Sequence, residues 1–164
     1  MKVIDILNNT DKPVFSFELV PPLKGGDINK IYEAIEPLIA LAPPFINITF
    51  HRDEVVYREY PDGTIKKVTV TKRPGSVALA AAIMRRYNVD MVPHIVCGGA
   101  TRHKIENELI DLNFLDIENV MALRGDPIPG ERFFTPEEGG HRYSCELVEQ
   151  ITPMNHGKYL DDTL

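Results

Sequence analysis

The order of the apolar runs limits what this chain can fold into more than any other feature. Four strand-like runs recur: "VFSFELV" at 14–20, "FINITF" at 45–50, "MVPHIVC" at 91–97 and "NVMALRG" at 119–125. A stretch with helical period stands between each and the next. After the first, Gly25-Gly26-Asp27 opens a helix with Asp27 as N-cap and Ile28, Ile31, Ile35 and Leu38 as its apolar stripe. Pro37 in that stripe predicts a kink or a break near its end. "SVALAAAIMRRYN" (76–88) is Ala-rich and helix-prone. Thr101 can cap a helix carrying Ile105, Leu109 and Leu112 on one face. "SCELVEQI" (144–151) starts a fourth helix, which Pro153 limits. One insertion interrupts the order: residues 53–72 alternate on both sides of Asp62-Gly63, the pattern of a β-hairpin. Strands alternating with helices imply an α/β fold with a parallel sheet and helices outside it.

Side chains alternate across a strand. Val14, Ser16 and Glu18 share one face of the first run; Asn47, Thr49 and His51 share one face of the second. Val92, His94 and Val96 do so in the third, and Val120, Ala122, Arg124 and Asp126 in the fourth. These smaller or more polar faces are expected to point together into a concavity, and the opposite faces, with Met121 and Leu123 in the fourth run, against helices. Glu18, Thr49, His51, His94, Arg124 and Asp126 lie toward the carboxyl ends of their strands, where α/β folds bind ligands.

Bulk properties exclude several classes. At 164 residues the chain is expected to form one domain, 1–164. Its net charge of −6 offers no footprint for nucleic acid or an anionic membrane. No apolar stretch reaches spanning length, and the N-terminus does not read as a signal peptide. Two cysteines, Cys97 and Cys145, make no disulfide framework, so a reducing cytoplasm is the simplest setting. His51, His94, Cys97 and His141 lack metal-ligand spacing, and no metal site is expected.

Each residue also has a plainer reading. Glu18 can be a solvated acid or an ion-pair partner of Arg124. His94 can be a hydrogen-bonded core histidine, Thr49 a simple β-former, and Arg124-Gly125-Asp126 a turn. "CGGAT" (97–101) can admit an anion before a helix or simply make a tight turn. Cys97 falls on the helix side and reads as inert.

Taken together, "FSFELVPP" (15–22), "FINITFH" (45–51), "VPHIVCGGAT" (92–101), "NVMALRGDPIPGE" (119–131) and "RYSCELV" (142–148) resemble the flavin-dependent 5,10-methylenetetrahydrofolate reductase family. Their order matches the first half of that family's (β/α)8 TIM barrel: four βα units, with the 53–72 hairpin resembling one bacterial branch. The resemblance implies FAD as cofactor, NADH or NADPH as co-substrate, and methylenetetrahydrofolate reduced to 5-methyltetrahydrofolate. It implies Glu18 as the general acid that opens the folate ring. Phe15, Phe17 and the paired prolines are expected to desolvate that acid partly and so favour its protonated form. Asp126 would stand by flavin and pterin, favouring a cationic folate iminium. Thr49, His94, Arg124, Gly125, Asp126 and Tyr143 match positions that hold FAD.

Four βα units are half of a typical barrel of about 250 residues. The expectation is a truncated reductase, or a half whose partner chain, identical or not, closes the barrel. The alternative is a non-catalytic half-barrel that pairs with itself or with another chain. A third reading is an aldolase or isomerase using the strand-end Glu, His and Asp, weakened by the lack of a strand-end lysine.

Overall fold

A computed structural model describes residues 1–161. Its elements are α1 (Val3–Asn8), β1 (Phe17–Leu19), α2 (Ile28–Ile39), β2 (Phe45–Ile48), β3 (Glu54–Glu59), β4 (Ile65–Val70), α3 (Ser76–Tyr87), β5 (Asp90–Val96), α4 (Arg102–Phe114), β6 (Met121–Leu123) and α5 (Ser144–Met154). The α/β order holds. β1, β2, β5 and β6 form one sheet in that order, parallel throughout, and β3 and β4 form a separate antiparallel hairpin. No helix among the described residues is long and apolar enough to cross a membrane.

The core lies between the sheet and its helices. Ile46 and Ile48 of β2, Met91 and Ile95 of β5, Ile35 of α2, Leu79 and Ile83 of α3, Ile105 and Leu112 of α4, and Leu147 of α5 are all buried there. Asp27 caps α2 by accepting from Asn29 N at 2.9 Å, and Thr101 caps α4 by accepting from Lys104 N at 3.2 Å.

The prolines limit their helices as expected: α2 ends at Ile39, two residues past Pro37, and α5 at Met154, one residue past Pro153. Three expectations need correction. The first and fourth strands are shorter than their apolar runs, spanning 17–19 and 121–123. α1 was not expected, and it buries none of its residues. Finally, the faces of β6 are inverted. The parallel register sets His94 against Met121 and Val96 against Leu123, and paired residues share a face. Val120 and Ala122 therefore pack on the core, and Leu123 faces the concavity.

Candidate functional site

A cavity of about 600 Å³ opens at the carboxyl ends of the parallel strands, a size that suits a small-molecule ligand. Glu18, Thr49, His51, His94, Gly125 and Asp126 all line it. Those of the first two strand runs arrive by strand geometry. Glu18 lies in β1 opposite Asn47 of β2. Thr49, just past β2, donates its backbone N–H to Leu19 O at 3.0 Å, and its Oγ1 lies 3.3 Å from the same oxygen. His51 Nε2 stands 3.2 Å from Thr49 Oγ1.

The inverted β6 would carry Arg124 and Asp126 away from this cavity if the strand ran on. It does not, because Gly125 turns the chain with φ +85°. That left-handed turn favours glycine, and a Cβ there would stand 2.5 Å from Val96 Cγ1. The turn brings Asp126 back into the cavity. Arg124 points elsewhere, into a second cleft with Tyr143 and Ser144 at the start of α5. Its guanidinium carbon lies 5.5 Å from the centre of the Phe134 ring, and its Nε donates to Gly125 O at 3.3 Å. Tyr143 is half exposed there. Glu146 fixes the adjoining turn by accepting from Arg142 N at 2.6 Å, and that bond holds its carboxyl below the usual range.

The partner of Glu18 is His94, not Arg124. Glu18 Oε2 lies 3.5 Å from His94 Nε2, with the imidazole only 7% exposed and the carboxylate 55% exposed. The desolvation expected for Glu18 is therefore absent: Phe15 points into solvent at 75% exposure and shields nothing. Burial has moved to His94, whose imidazole it pushes below its ordinary value, with Glu18 pulling the other way. His94 Nε2 is buried without a hydrogen-bond partner. His51 is also held below its ordinary value, by partial burial first and then by the charge of Arg73.

"CGGAT" makes a turn before α4, whose start is capped: Thr101 accepts from Lys104 N at 3.2 Å, and Gly139 O accepts from Arg102 N at 3.1 Å. Cys97 is fully buried, burial pushes its thiol up, and its Sγ donates to Tyr143 O at 3.6 Å, as the inert reading requires.

Sequence reasoning missed three contributors. Arg52, Lys72 and Arg73 also line the cavity, at the base of the β3–β4 hairpin. Their position just outside the two ends of a hairpin that follows a site strand was the available signal.

A family model described as methylenetetrahydrofolate reductase matches residues 2–163. Over 167 residues the chain is 27% identical to methylenetetrahydrofolate reductase (NADH) 1 of Arabidopsis thaliana, covering 100% of this chain and 25% of that protein. It is 28% identical over 155 residues to methylenetetrahydrofolate reductase 1 of Schizosaccharomyces pombe, covering 92% and 23%. Over 138 residues it is 24% identical to the 5,10-methylenetetrahydrofolate reductase of Pectobacterium carotovorum, covering 83% and 38%. The chain thus spans about a quarter of the length of its plant relatives.

Proposed function

Because the chain belongs to the methylenetetrahydrofolate reductase family, we propose that it serves FAD-dependent reduction of 5,10-methylenetetrahydrofolate to 5-methyltetrahydrofolate, with NADH or NADPH as reductant. In this reading its parallel sheet is the first half of a (β/α)8 barrel, completed by further chain or by a partner. One observation carries the reading: Glu18 of β1 and Asp126, just past β6 at the opposite edge of the sheet, line one cavity at the strand ends.

The residues present fit a flavin dinucleotide. His94 Nε2 is a buried polar atom without a partner that faces the cavity. Gly125 leaves backbone bare where a side chain would strike Val96. Arg124 and Tyr143 line an adjoining cleft that would take a more polar part of the cofactor. Thr49, His94, Arg124, Gly125, Asp126 and Tyr143 would hold the group. Bound there, it supplies hydride transfer between the nicotinamide and the folate.

This chain's residues supply position and protons. Glu18 gives its proton to the folate nitrogen that leaves as the five-membered ring opens. Its exposed side of the carboxyl takes the next proton from water. His94, whose imidazole burial pushes below its ordinary value, stands 3.5 Å from the inner carboxylate oxygen without competing as a cation. Asp126 sets a negative charge beside the folate carbon and favours its cationic form.

Glu18→Gln is expected to lower folate reduction by about 10²–10⁴-fold while NADH still reduces bound flavin at a near-normal rate. Normal folate reduction in that variant would remove Glu18 from the mechanism. The outer edges of β1 and β6, unpaired among the described residues, favour a second reading, a non-catalytic half-barrel that pairs through those edges. It requires a stable dimer or complex that stays colourless after incubation with FAD and desalting; a retained flavin band would exclude it, while a colourless monomer would mean that the rest of the barrel is needed to retain FAD.

A further inference from the structure

Most cations around the cavity are already engaged. Arg73 donates to Pro21 O, Lys72 pairs with Glu54 at 2.5 Å, and Arg124 donates to Gly125 O and stacks on Phe134. Arg52 is different. Its side chain is only 21% exposed, and its Nη1 is buried with no hydrogen-bond partner. Its ion pair is a long one, Nη2 to Glu137 Oε1 at 3.7 Å, beyond hydrogen-bond reach. Glu137 is itself 47% exposed and belongs to the irregular connection between β6 and α5.

The guanidinium lies along the Gly98-Gly99 turn. A Cβ at Gly98 would stand 3.5 Å from Arg52 Nη1, and one at Gly99 would stand 3.5 Å from Arg52 Cβ. The turn thus presents bare backbone beside a forked donor at the cavity wall. A buried guanidinium with an unmet N–H is costly unless something accepts from it. A phosphate offers several oxygens that match the fork. A carboxylate on a surface loop, too far to bond, is a weak substitute.

We propose that Arg52 is the receptor for a phosphate group of a dinucleotide ligand, and that Glu137 is its resting counter-ion, displaced when the ligand binds. The dinucleotide source rests on the reductase reading; the phosphate chemistry does not. Arg52 therefore gives the cavity a second anion-binding pole, apart from the Arg124 cleft. Glu137 acts as an internal competitor, and ligand binding frees its side chain.

The first probe is inorganic pyrophosphate, titrated calorimetrically at low salt into the unmodified chain, Arg52→Gln and Glu137→Gln. Arg52→Gln is expected to weaken binding about tenfold or more, and Glu137→Gln to tighten it about two- to fivefold. The two shifts must be opposite in sign. Equal affinity in all three, no measurable binding to the unmodified chain, or weakening in both variants would overturn the assignment. Because Glu137 is half exposed, its variant reports even if Arg52→Gln folds poorly. Titrations with FAD, NADH and riboflavin then identify the source. Loss for FAD alone assigns the flavin phosphates, and loss for NADH alone assigns those of the nicotinamide. Equal loss for riboflavin, which has no phosphate, would mean a structural role and overturn the proposal. An Arg52-dependent pyrophosphate site in a chain that binds neither FAD nor NADH would leave Arg52 standing as an anion receptor and overturn only its assignment to a dinucleotide, the part that rests on the reductase reading.

Discussion

The parallel sheet and the β3–β4 hairpin are both built of strands, yet they are stabilised by different means. β5 buries five consecutive residues, Met91 to Ile95, and β2 buries Ile46, Asn47 and Ile48. The hairpin strands bury none. Their pairing is local. Gly63 N donates to Tyr60 O at 2.9 Å, Tyr60 N to Thr64 O at 2.9 Å, and Asp62 Oδ1 accepts from Thr64 N at 3.0 Å. A lone two-stranded hairpin is marginal in water, and this one is tied down at its base. Lys24 N donates to Lys72 O at 2.7 Å, and Arg73 reaches Pro21 O. The base lines the cavity while the tip projects away from it. Burial holds the sheet, turn chemistry and a few base contacts hold the hairpin, and the cavity forms where the two meet.

The largest effects should come from the sheet. Ile95 is fully buried near the carboxyl end of β5. Ile95→Ala is expected to cost about 2–5 kcal/mol in denaturant unfolding, since it removes core contacts and leaves a cavity. A cost under about 1 kcal/mol would mean that the sheet is not the stabilising unit. Gly125→Ala comes next. It combines a left-handed backbone with a Cβ 2.5 Å from Val96 Cγ1. A loss of about 1–3 kcal/mol is expected, together with weakened flavin retention, because the turn that returns Asp126 to the cavity must move. Unchanged stability and retention would mean that this turn relaxes freely.

The sheet and its helices were legible because their apolar periods are strong and local. What escaped the sequence was carried by contacts between distant residues. α1 has no buried stripe, and Asn119 anchors it by accepting from Val3 N and donating to Met1 O, both at 2.8 Å. The β6 faces were misjudged because Met121 and Leu123 are larger than Val120 and Ala122. Size suggested the helix side, while the register with His94 and Val96 decided otherwise. Glu18, Thr49, His94 and Asp126 were legible as strand-end polar residues, and the structure brings them to one cavity. Arg52 was not, since Glu137 and Gly98 are remote in sequence. Nor was the exposure of Glu18, because flanking aromatics in sequence do not reveal which way they point.

Buried His94 gives the sheet a pH dependence just beneath 6.5, whereas in the hairpin turn the shifted group is Asp62, which its bonds to Thr64 hold below the usual carboxylate range. Burial holds its imidazole below the ordinary value of 6.5. Below that pH the unfolded chain takes up a proton that the folded chain refuses, so stability falls as pH drops through the window beneath 6.5. Above it the contribution is constant. His51 shifts in the same direction, so His94→Asn should flatten the acid limb in part, not wholly. An acid limb unchanged in His94→Asn would show that this imidazole protonates in place.

The smallest effect tests the hairpin against the sheet with the same substitution. Gly63 has φ +77°, close to the +85° of Gly125, but a Cβ there would meet nothing within 4 Å. Gly63→Ala therefore carries the backbone cost without the clash, about 1 kcal/mol. That cost falls on a unit that contributes no buried residue. Amides of Glu54–Glu59 and Ile65–Val70 should exchange faster in hydrogen exchange, because local opening becomes easier. The global unfolding free energy should stay within about 0.5 kcal/mol, and flavin retention should not change, because the base contacts at Lys72 and Arg73 lie at the other end of the hairpin. If global stability fell as far as in Gly125→Ala, the hairpin and the sheet would be one cooperative unit, and the base contacts would be transmitting the strain from tip to cavity.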